Sequence, residues 1–356
     1  MGYDFKVWQA IYKANKSRLH ITIVALTVYW LGYHIPIPGL PELENARFSY
    51  SSNYSIFSYA MISWATVLGA IELLILIFGT RLGFLATSSG HANPFSKWAI
   101  FFTLAYTLHK GWSFLTIFVQ MAQGNESELR FIDLMFPLLS ILAGTSTIIF
   151  LASVIESRGV KFGFWLLIAE GGLQRWSYEV AKLPGLFVEN RLDLKLLRFE
   201  LIILIICFVA IITLLVFRQK NNTLDSQIIW WPTVVSIFVV NMIFAGAALI
   251  PLRYSAVISP GHSLLVYRIL SVAIEMGLLW FYLRREQKRL VARLTLGVLS
   301  LVIIVQAVAV SYSSFGFRME TLTMLLATQA ALWLWGLYCE ESSTQKLKTL
   351  WRSNKS

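Results

Sequence analysis

Charged side chains inside long apolar stretches are the feature of this 356-residue chain that points most directly to chemistry. They are Glu72, Lys110, Glu170, Arg268 and Glu275. A charge within a bilayer is costly unless it is paired or faces water, so such residues mark buried pairs or a path for polar cargo. Arg268 and Glu275 are seven residues apart and therefore share one face of a helix. Glu170 has two candidate partners, Lys110 and His109.

No residue pattern typical of an enzyme occurs in the sequence. The five histidines form no HExxH spacing, and neither a P-loop nor a GxSxG motif is present. Cys207 and Cys339 lie in or at the end of apolar stretches, as small apolar residues do. We therefore predict a protein that is not an enzyme and uses no metal or other cofactor.

The composition predicts an all-α polytopic membrane protein. Hydrophobic residues make up 57% of the sequence and charged residues only 14%. A helix needs about 20 apolar residues to cross a bilayer, and we identify nine candidate spans. A tenth candidate begins at Phe162, "FGFWLLIAEGGLQRW", and is interrupted by Glu170, two glycines and Arg175.

The distribution of Lys and Arg favours ten spans with both termini in the cytoplasm. Apart from Lys110 and Arg268, which lie inside spans, ten spans place 19 basic residues in cytoplasmic segments and nine outside, whereas nine spans divide them 15 to 13. Cytoplasmic loops are enriched in Lys and Arg, so the ten-span arrangement fits better. The net charge of +11 is then explained by orientation in the cell (inner, cytoplasmic) membrane, and we expect no nucleic-acid partner.

The segment "IPIPG" ends the first apolar stretch, and its residues are Ile35, Pro36, Ile37, Pro38 and Gly39. Proline lacks a backbone N–H and drives the preceding residue toward extended geometry, so the helix must end here. A basic N-terminus, an apolar helix and then "IPIPGL" resembles the first transmembrane helix of SecY, the protein-conducting channel of the bacterial membrane.

Further segments resemble the same family in the same order. Tyr54 to Leu74 is similar to the second helix, with Ser63 where the family has proline. Gly144 to Gly163 is similar to the fourth helix and its following turn, and Trp230 to Val235 to the start of the seventh. The residues that keep the family pattern are Gly144, Thr145, Arg158, Gly159, Gly163 and Pro232, whereas Lys161 and Phe162 depart from it.

The resemblance implies two pseudo-symmetric inverted halves of five helices, residues 1–190 and 191–356, around an apolar constriction. It implies that a pore ring is formed by Met61, Ala65, Phe164, Ile168 and Val234. It also implies a lateral gate between the second and seventh helices, with Glu72 and Asn241. A plug is implied within residues 47–55, including Tyr50, Ser52 and Tyr54.

Two cytoplasmic loops that dock the ribosome or the SecA motor in the family are short here. They span residues 218–228 and 284–293, and ten extended residues reach only about 35 Å. We therefore expect that this chain does not engage those partners in the usual way. The basic residues of the second loop, which include Arg284 and Arg289, are typical of an anchor beside anionic lipid.

These implications predict a channel subunit for export or membrane insertion of polypeptides, as a specialised accessory translocase. The expected partners are an unfolded or nascent secreted or membrane polypeptide, membrane lipids and a small SecE-like membrane subunit. One alternative is an ion-coupled carrier for a small solute, with Glu72, Glu170 or Glu275 as a relay. Another is a non-conducting membrane insertase or chaperone scaffold.

Overall fold

The described part of the chain is almost entirely helical. The computed structural model describes residues 2–38, 55–87, 90–123, 131–160, 163–168, 170–171, 260–284 and 289–312, and short helical pieces between 202 and 239. Its long helices are α1 (Gly2–Tyr33), α2 (Ile56–Phe78), α3 (Lys97–Gln123), α4 (Phe131–Arg158), α5 (Pro260–Arg284) and α6 (Arg289–Tyr312). A 3₁₀ helix, Gly79–Leu85, follows α2 directly.

The two prolines end α1 as the sequence predicts. The helix stops at Tyr33, and Pro36 then forms an isolated β-bridge with Ser55, which precedes α2. The N–H of Ile56 donates to the carbonyl of Ile35 at 3.1 Å, so the extended segment is tied to the start of α2. Gly39 lies outside the described residues.

Glycines allow α1, α2 and α4 to approach one another closely. A Cβ added to Gly144 of α4 would overlap Ile56, and one added to Gly32 of α1 would overlap Phe57. Both contacts are with the first turn of α2. Small residues at helix contacts are characteristic of bundles in membranes, because they let backbones approach.

The main hydrophobic core joins the early and late helices. Its buried residues come from α1, α2, α4, the segment 163–168, the pieces around Trp231, α5 and α6. Trp64, Leu68 and Ile155 are fully buried members. A second, smaller cluster packs Ile37 against residues of α3 and α4.

The prediction of ten membrane-spanning helices in two inverted halves of five is wrong. Among the described residues, only two helices, Ile56–Phe78 and Leu134–Arg158, are long and apolar enough to cross a membrane. Polar and basic residues up to His20 shorten the apolar part of α1, and α3 carries His109 and Lys110 in its middle. The two apolar helices indicate association with a membrane. The predicted division between residues 190 and 191 lies outside the described residues.

The ends of α2, α4 and α5 lie at one end of the molecule. The middle of α4 contacts the start of α2 at Gly144, so the last turn of α4 lies about 20 Å further toward the end of α2. Thr22 of α1 reaches the same level, because its hydroxyl accepts the N–H of Val160 at 3.2 Å. A hydrogen bond between Glu72 and Tyr282 brings the end of α5 beside α2.

Exposed basic side chains gather at this end. Among residues whose side chains are described, every exposed Lys or Arg except Lys110 lies here. They form what we call the basic end: Lys16, Arg18, Arg81, Lys97, Arg158, Arg284 and Arg293.

Candidate functional site

The five residues that the resemblance assigns to the pore ring lie in one hydrophobic cluster. Four of them are buried, and Ala65 is half-buried and packs against the same cluster. The buried four are Met61, Phe164, Ile168 and Val234. Within this core, α2 contacts the segment 163–168 through Trp64 and Phe164, and it contacts the piece containing Val234 at Gly69.

Large aromatic rings fill the space beside these residues. The ring of Phe164 lies 4.8 Å from that of Trp64 and 5.0 Å from that of Trp165. Trp165 in turn lies 5.3 Å from Trp231. All of these side chains are at most 4% exposed, so aromatic rings pack tightly in this part of the bundle.

Gly69 brings α2 into direct contact with the segment that contains Val234. A Cβ on Gly69 would lie 3.0 Å from the Cβ of Phe238 and 3.0 Å from the carbonyl oxygen of Val234. This contact lies where the resemblance implies a lateral gate. Asn241, the other predicted gate residue, lies outside the described residues.

Glu72, one turn after Gly69, is fully buried and accepts three hydrogen bonds. Its Oε2 accepts the backbone N–H of Ala92 at 2.6 Å. Its Oε1 lies 2.8 Å from Nδ1 of His91 and accepts the hydroxyl of Tyr282 at 2.5 Å. A buried carboxylate needs such donors, because an unpaired one is strongly destabilising.

The loop that supplies His91 is itself held by backbone hydrogen bonds. Ala86 and Ala92 form an isolated β-bridge, and the N–H of Asn93 donates to the carbonyl of Leu85 at 2.8 Å. Gly90 has a φ of 82°, a conformation that favours glycine. The loop therefore presents His91 and the N–H of Ala92 to Glu72 together.

Aromatic stacking connects this loop to the rest of the site. The ring of His91 lies 6.3 Å from that of Trp231 at an interplanar angle of 18°, and 5.7 Å from that of Tyr282. Glu72, His91, Tyr282 and Trp231 thus form a single group, which we call the Glu72 cluster. It joins α2, the loop 86–92, the piece around Trp231 and α5.

The predicted plug residues Tyr50, Ser52 and Tyr54 lie outside the described residues. Of the predicted plug segment, only Ser55 is described, and it caps α2. Its hydroxyl accepts the N–H of Ser58 at 3.0 Å. This is the hydrogen bond that Ser typically makes at a helix N-terminus.

The remaining family-pattern residues are found at helix contacts and helix ends. Thr145 is buried, and its hydroxyl donates to the carbonyl of Ile141 at 2.9 Å. Gly163 packs against the backbone of Ala152, and its N–H donates to the carboxylate of Glu156 at 2.9 Å. Gly159 follows α4, Arg158 is its exposed last residue, and Pro232 is buried. Lys161 and Phe162 lie outside the described residues.

The other charged residues are placed in different surroundings. Lys110 is exposed, with Nζ 5.5 Å from the ring centroid of Tyr106. Glu275 is buried on the face of α5 that also carries Tyr282. Glu170 is half-buried in a segment that packs against Tyr29, and Arg268 lies within α5. In the part of the chain that the structure describes, no three His, Cys, Asp or Glu side chains form a group able to hold a metal ion.

Sequence reasoning identified Glu72 but missed His91 and Tyr282. The seven-residue spacing of Glu275 and Tyr282 is the signal that was available, since it puts two polar side chains on one face of an apolar helix. His91 follows the sequence Ser-Ser-Gly, and its sequence context does not distinguish it from an exposed loop residue.

Comparison with known proteins adds no relative to this picture: no family model and no curated protein matches the chain. The likeness to SecY therefore depends on the quoted motifs, and function has to be argued from them and from the geometry described above.

Proposed function

We propose that this protein is a membrane-embedded channel subunit for export or membrane insertion of polypeptides, specialised as an accessory translocase. A peptide needs a polar path through a bilayer, because each unsatisfied backbone group costs several kcal/mol in lipid. A constriction of apolar side chains seals such a path when it is idle by excluding water. This function requires no covalent chemistry by the chain.

The observation that carries the proposal is that the five ring candidates lie in or against the main hydrophobic core, where α2 contacts the segments that carry the other three. Their positions come from motifs far apart in sequence, yet all five belong to one cluster or pack directly on it. The contact at Gly69 supports a gate beside them, since α2 lies directly against Val234 and Phe238 there.

The proposed partners follow from the same resemblance. They are an unfolded or nascent polypeptide, a small SecE-like membrane subunit and membrane lipids, without the usual docking of the ribosome or SecA. We propose that the basic end faces the cytoplasm of the cell (inner) membrane, because Lys and Arg concentrate on that side. The N-terminal part of α1 then lies on the cytoplasmic side as well.

Photo-crosslinking tests the proposal. Benzoylphenylalanine is placed at Met61 or Ala65, and the protein is reconstituted in vesicles. An unfolded preprotein is then added, which the protein captures through the apolar signal segment of the preprotein. We expect covalent adducts to that preprotein from both positions. Ile62 provides the matched control, since it is the neighbour of Met61 on α2 and is 57% exposed. A preprotein adduct from Ile62 alone, with lipid or no adduct from the ring positions, contradicts the proposal.

The filled aromatic space favours a second candidate, the non-conducting insertase or chaperone scaffold. Trp64, Phe164, Trp165 and Trp231 occupy the space beside the ring. A scaffold would keep these rings packed while a client binds at its surface. In the same experiment, it predicts client adducts from exposed positions such as Ile62 and none from Met61.

A further inference from the structure

Exposed aromatic side chains stand beside cations at the basic end. Trp280 of α5 is 52% exposed, and the guanidinium carbon of Arg284 lies 5.5 Å from its ring centroid. Across the molecule, Phe84 and Trp98 are 59% and 52% exposed, with ring centroids 6.2 Å apart. Exposed Trp next to Lys and Arg is the composition found at the headgroup level of a membrane.

These exposed residues occur on two separate segments. One segment is the last turn of α5, with Trp280 and Arg284. The other is the connection between α2 and α3, which includes Arg81 and ends at Lys97, the first residue of α3. Both cations of the connection are exposed, and no acidic residue occurs between Gly79 and Lys97. Both segments therefore present positive charge, which complements an anionic lipid surface.

The inner faces of the same two segments meet at Glu72. Tyr282 lies two residues from both Trp280 and Arg284, and its hydroxyl donates to Glu72 from the opposite side of the turn. The connection contributes His91 and the N–H of Ala92 to the same carboxylate. A movement of the last turn of α5 therefore acts on the carboxylate that also holds His91 and the N–H of Ala92.

We propose that anionic phospholipid headgroups bind at the last turn of α5 through Arg284 and Trp280, and that Tyr282 and Glu72 transmit this binding to the loop 86–92. Arg is suited to the role because its planar guanidinium binds phosphate oxygens in pairs. A bound headgroup holds the last turn in place, which keeps the hydroxyl of Tyr282 on Glu72. Tyr282 is a positioning residue in this scheme and does not contact the lipid.

Hydrogen exchange in nanodiscs tests this coupling. The full chain is placed in phosphatidylcholine alone or in phosphatidylcholine mixed with phosphatidylglycerol, and the exchange of the peptide covering residues 86–92 is measured. We expect phosphatidylglycerol to slow that exchange about tenfold, because the N–H of Ala92 opens only when its bond to Glu72 breaks. Lipid retained by the purified protein is measured in parallel.

Three variants separate binding from transmission. Arg284→Gln is expected to lose phosphatidylglycerol enrichment and the slowing together. Tyr282→Phe is expected to keep the enrichment and lose the slowing. Tyr29→Phe is the matched control, since Tyr29 is a fully buried tyrosine whose hydroxyl has no hydrogen-bond partner among the described residues. It should leave both readouts unchanged.

Several outcomes overturn the proposal. They are equal exchange in the two lipid compositions, undiminished enrichment in Arg284→Gln, or a full lipid response in Tyr282→Phe. Arg284 is exposed, so its replacement does not remove a core contact. None of these measurements requires transport of a polypeptide, so a failure of the channel proposal and a failure of this inference are distinguishable.

Discussion

At the scale of single residues, Glu72 is a charged side chain whose burial depends on the hydrogen bonds that it accepts. It is 0% exposed and accepts one backbone and two side-chain hydrogen bonds. We predict that Glu72→Gln lowers the free energy of unfolding by about 2–3 kcal/mol, because the amide nitrogen is a donor placed among donors. Denaturant titration in detergent micelles measures the change.

Glu156 provides the control for that prediction. Its carboxylate also accepts a backbone N–H, from Gly163 at 2.9 Å, but the side chain is exposed. Water can replace the lost interaction there, so Glu156→Gln should cost clearly less. An equal loss in the two variants would show that the hydrogen bonds inside the Glu72 cluster contribute nothing beyond one backbone contact.

Tyr29 differs from Glu72 in that its buried polar atom makes no hydrogen bond to the described residues. Its ring is fully buried between Tyr33 and Phe57, with ring centroids 6.2 and 5.7 Å away. The hydroxyl has no hydrogen-bond partner among the described residues. We predict that Tyr29→Phe leaves the free energy of unfolding unchanged or raises it by up to about 1 kcal/mol, because a buried hydroxyl without a partner is destabilising. A loss above that size in thermal unfolding would contradict this prediction.

The residue scale also shows what local sequence can indicate. The sequence alone identifies a glutamate inside an apolar run as a candidate site, because the desolvation cost of the glutamate depends on its neighbours in the chain. Its partners are not visible, since His91 and Tyr282 lie 19 and 210 residues away. The sequence thus indicates the acid of the Glu72 cluster, whereas its donors come from the loop 86–92 and from α5.

At the scale of helices, the contact between α2 and α4 depends on a missing side chain. A Cβ on Gly144 would overlap Ile56, whereas one on Gly277 of α5 would have no atom of the described residues within 4 Å. We predict that Gly144→Ala lowers the free energy of unfolding by about 1–3 kcal/mol through overpacking. Gly277→Ala should be neutral or stabilising by up to about 1 kcal/mol, since alanine is the better helix former. Similar effects of the two changes on unfolding would show that the α2–α4 contact is loose.

Helix ends were predicted better than the number of spans. Proline geometry is local, so the end of α1 before "IPIPG" followed from the sequence. Membrane crossing depends on a whole window of side chains. His109 and Lys110 in α3 and the polar first half of α1 interrupt such windows, and the prediction of ten spans placed Lys110 inside one of them.

At the scale of the whole molecule, the clustering of cations predicts an orientation. The basic end should face the cytoplasm, and the "IPIPG" segment should face the opposite side. We predict that a membrane-impermeant maleimide added to intact cells labels Ile35→Cys but not Lys97→Cys. Both sites are exposed, and Cys207 and Cys339 are replaced by serine in the background. Labelling of Lys97→Cys before the cells are opened would contradict this orientation.

The contact at Gly69 leads to a prediction about how α2 and the segment containing Phe238 move relative to each other. The Cβ positions of Gly69 and Phe238 are 3.0 Å apart, and those of Gly144 and Ile56 are 3.5 Å apart. A disulfide needs about 3.5–4.5 Å, so the second pair fits directly and the first after a small separation. We predict that oxidising Gly69→Cys with Phe238→Cys abolishes preprotein adducts from a photo-crosslinker at Met61, and that reduction restores them.

The pair Gly144→Cys with Ile56→Cys should leave those adducts intact, because α2 and α4 need not separate when α2 parts from the segment containing Phe238. The comparison holds the chemistry of crosslinking constant and changes only which contact of α2 is locked. If the two disulfides have the same effect, the contact at Gly69 is ordinary packing. The proposed lateral gate would then not lie at Gly69.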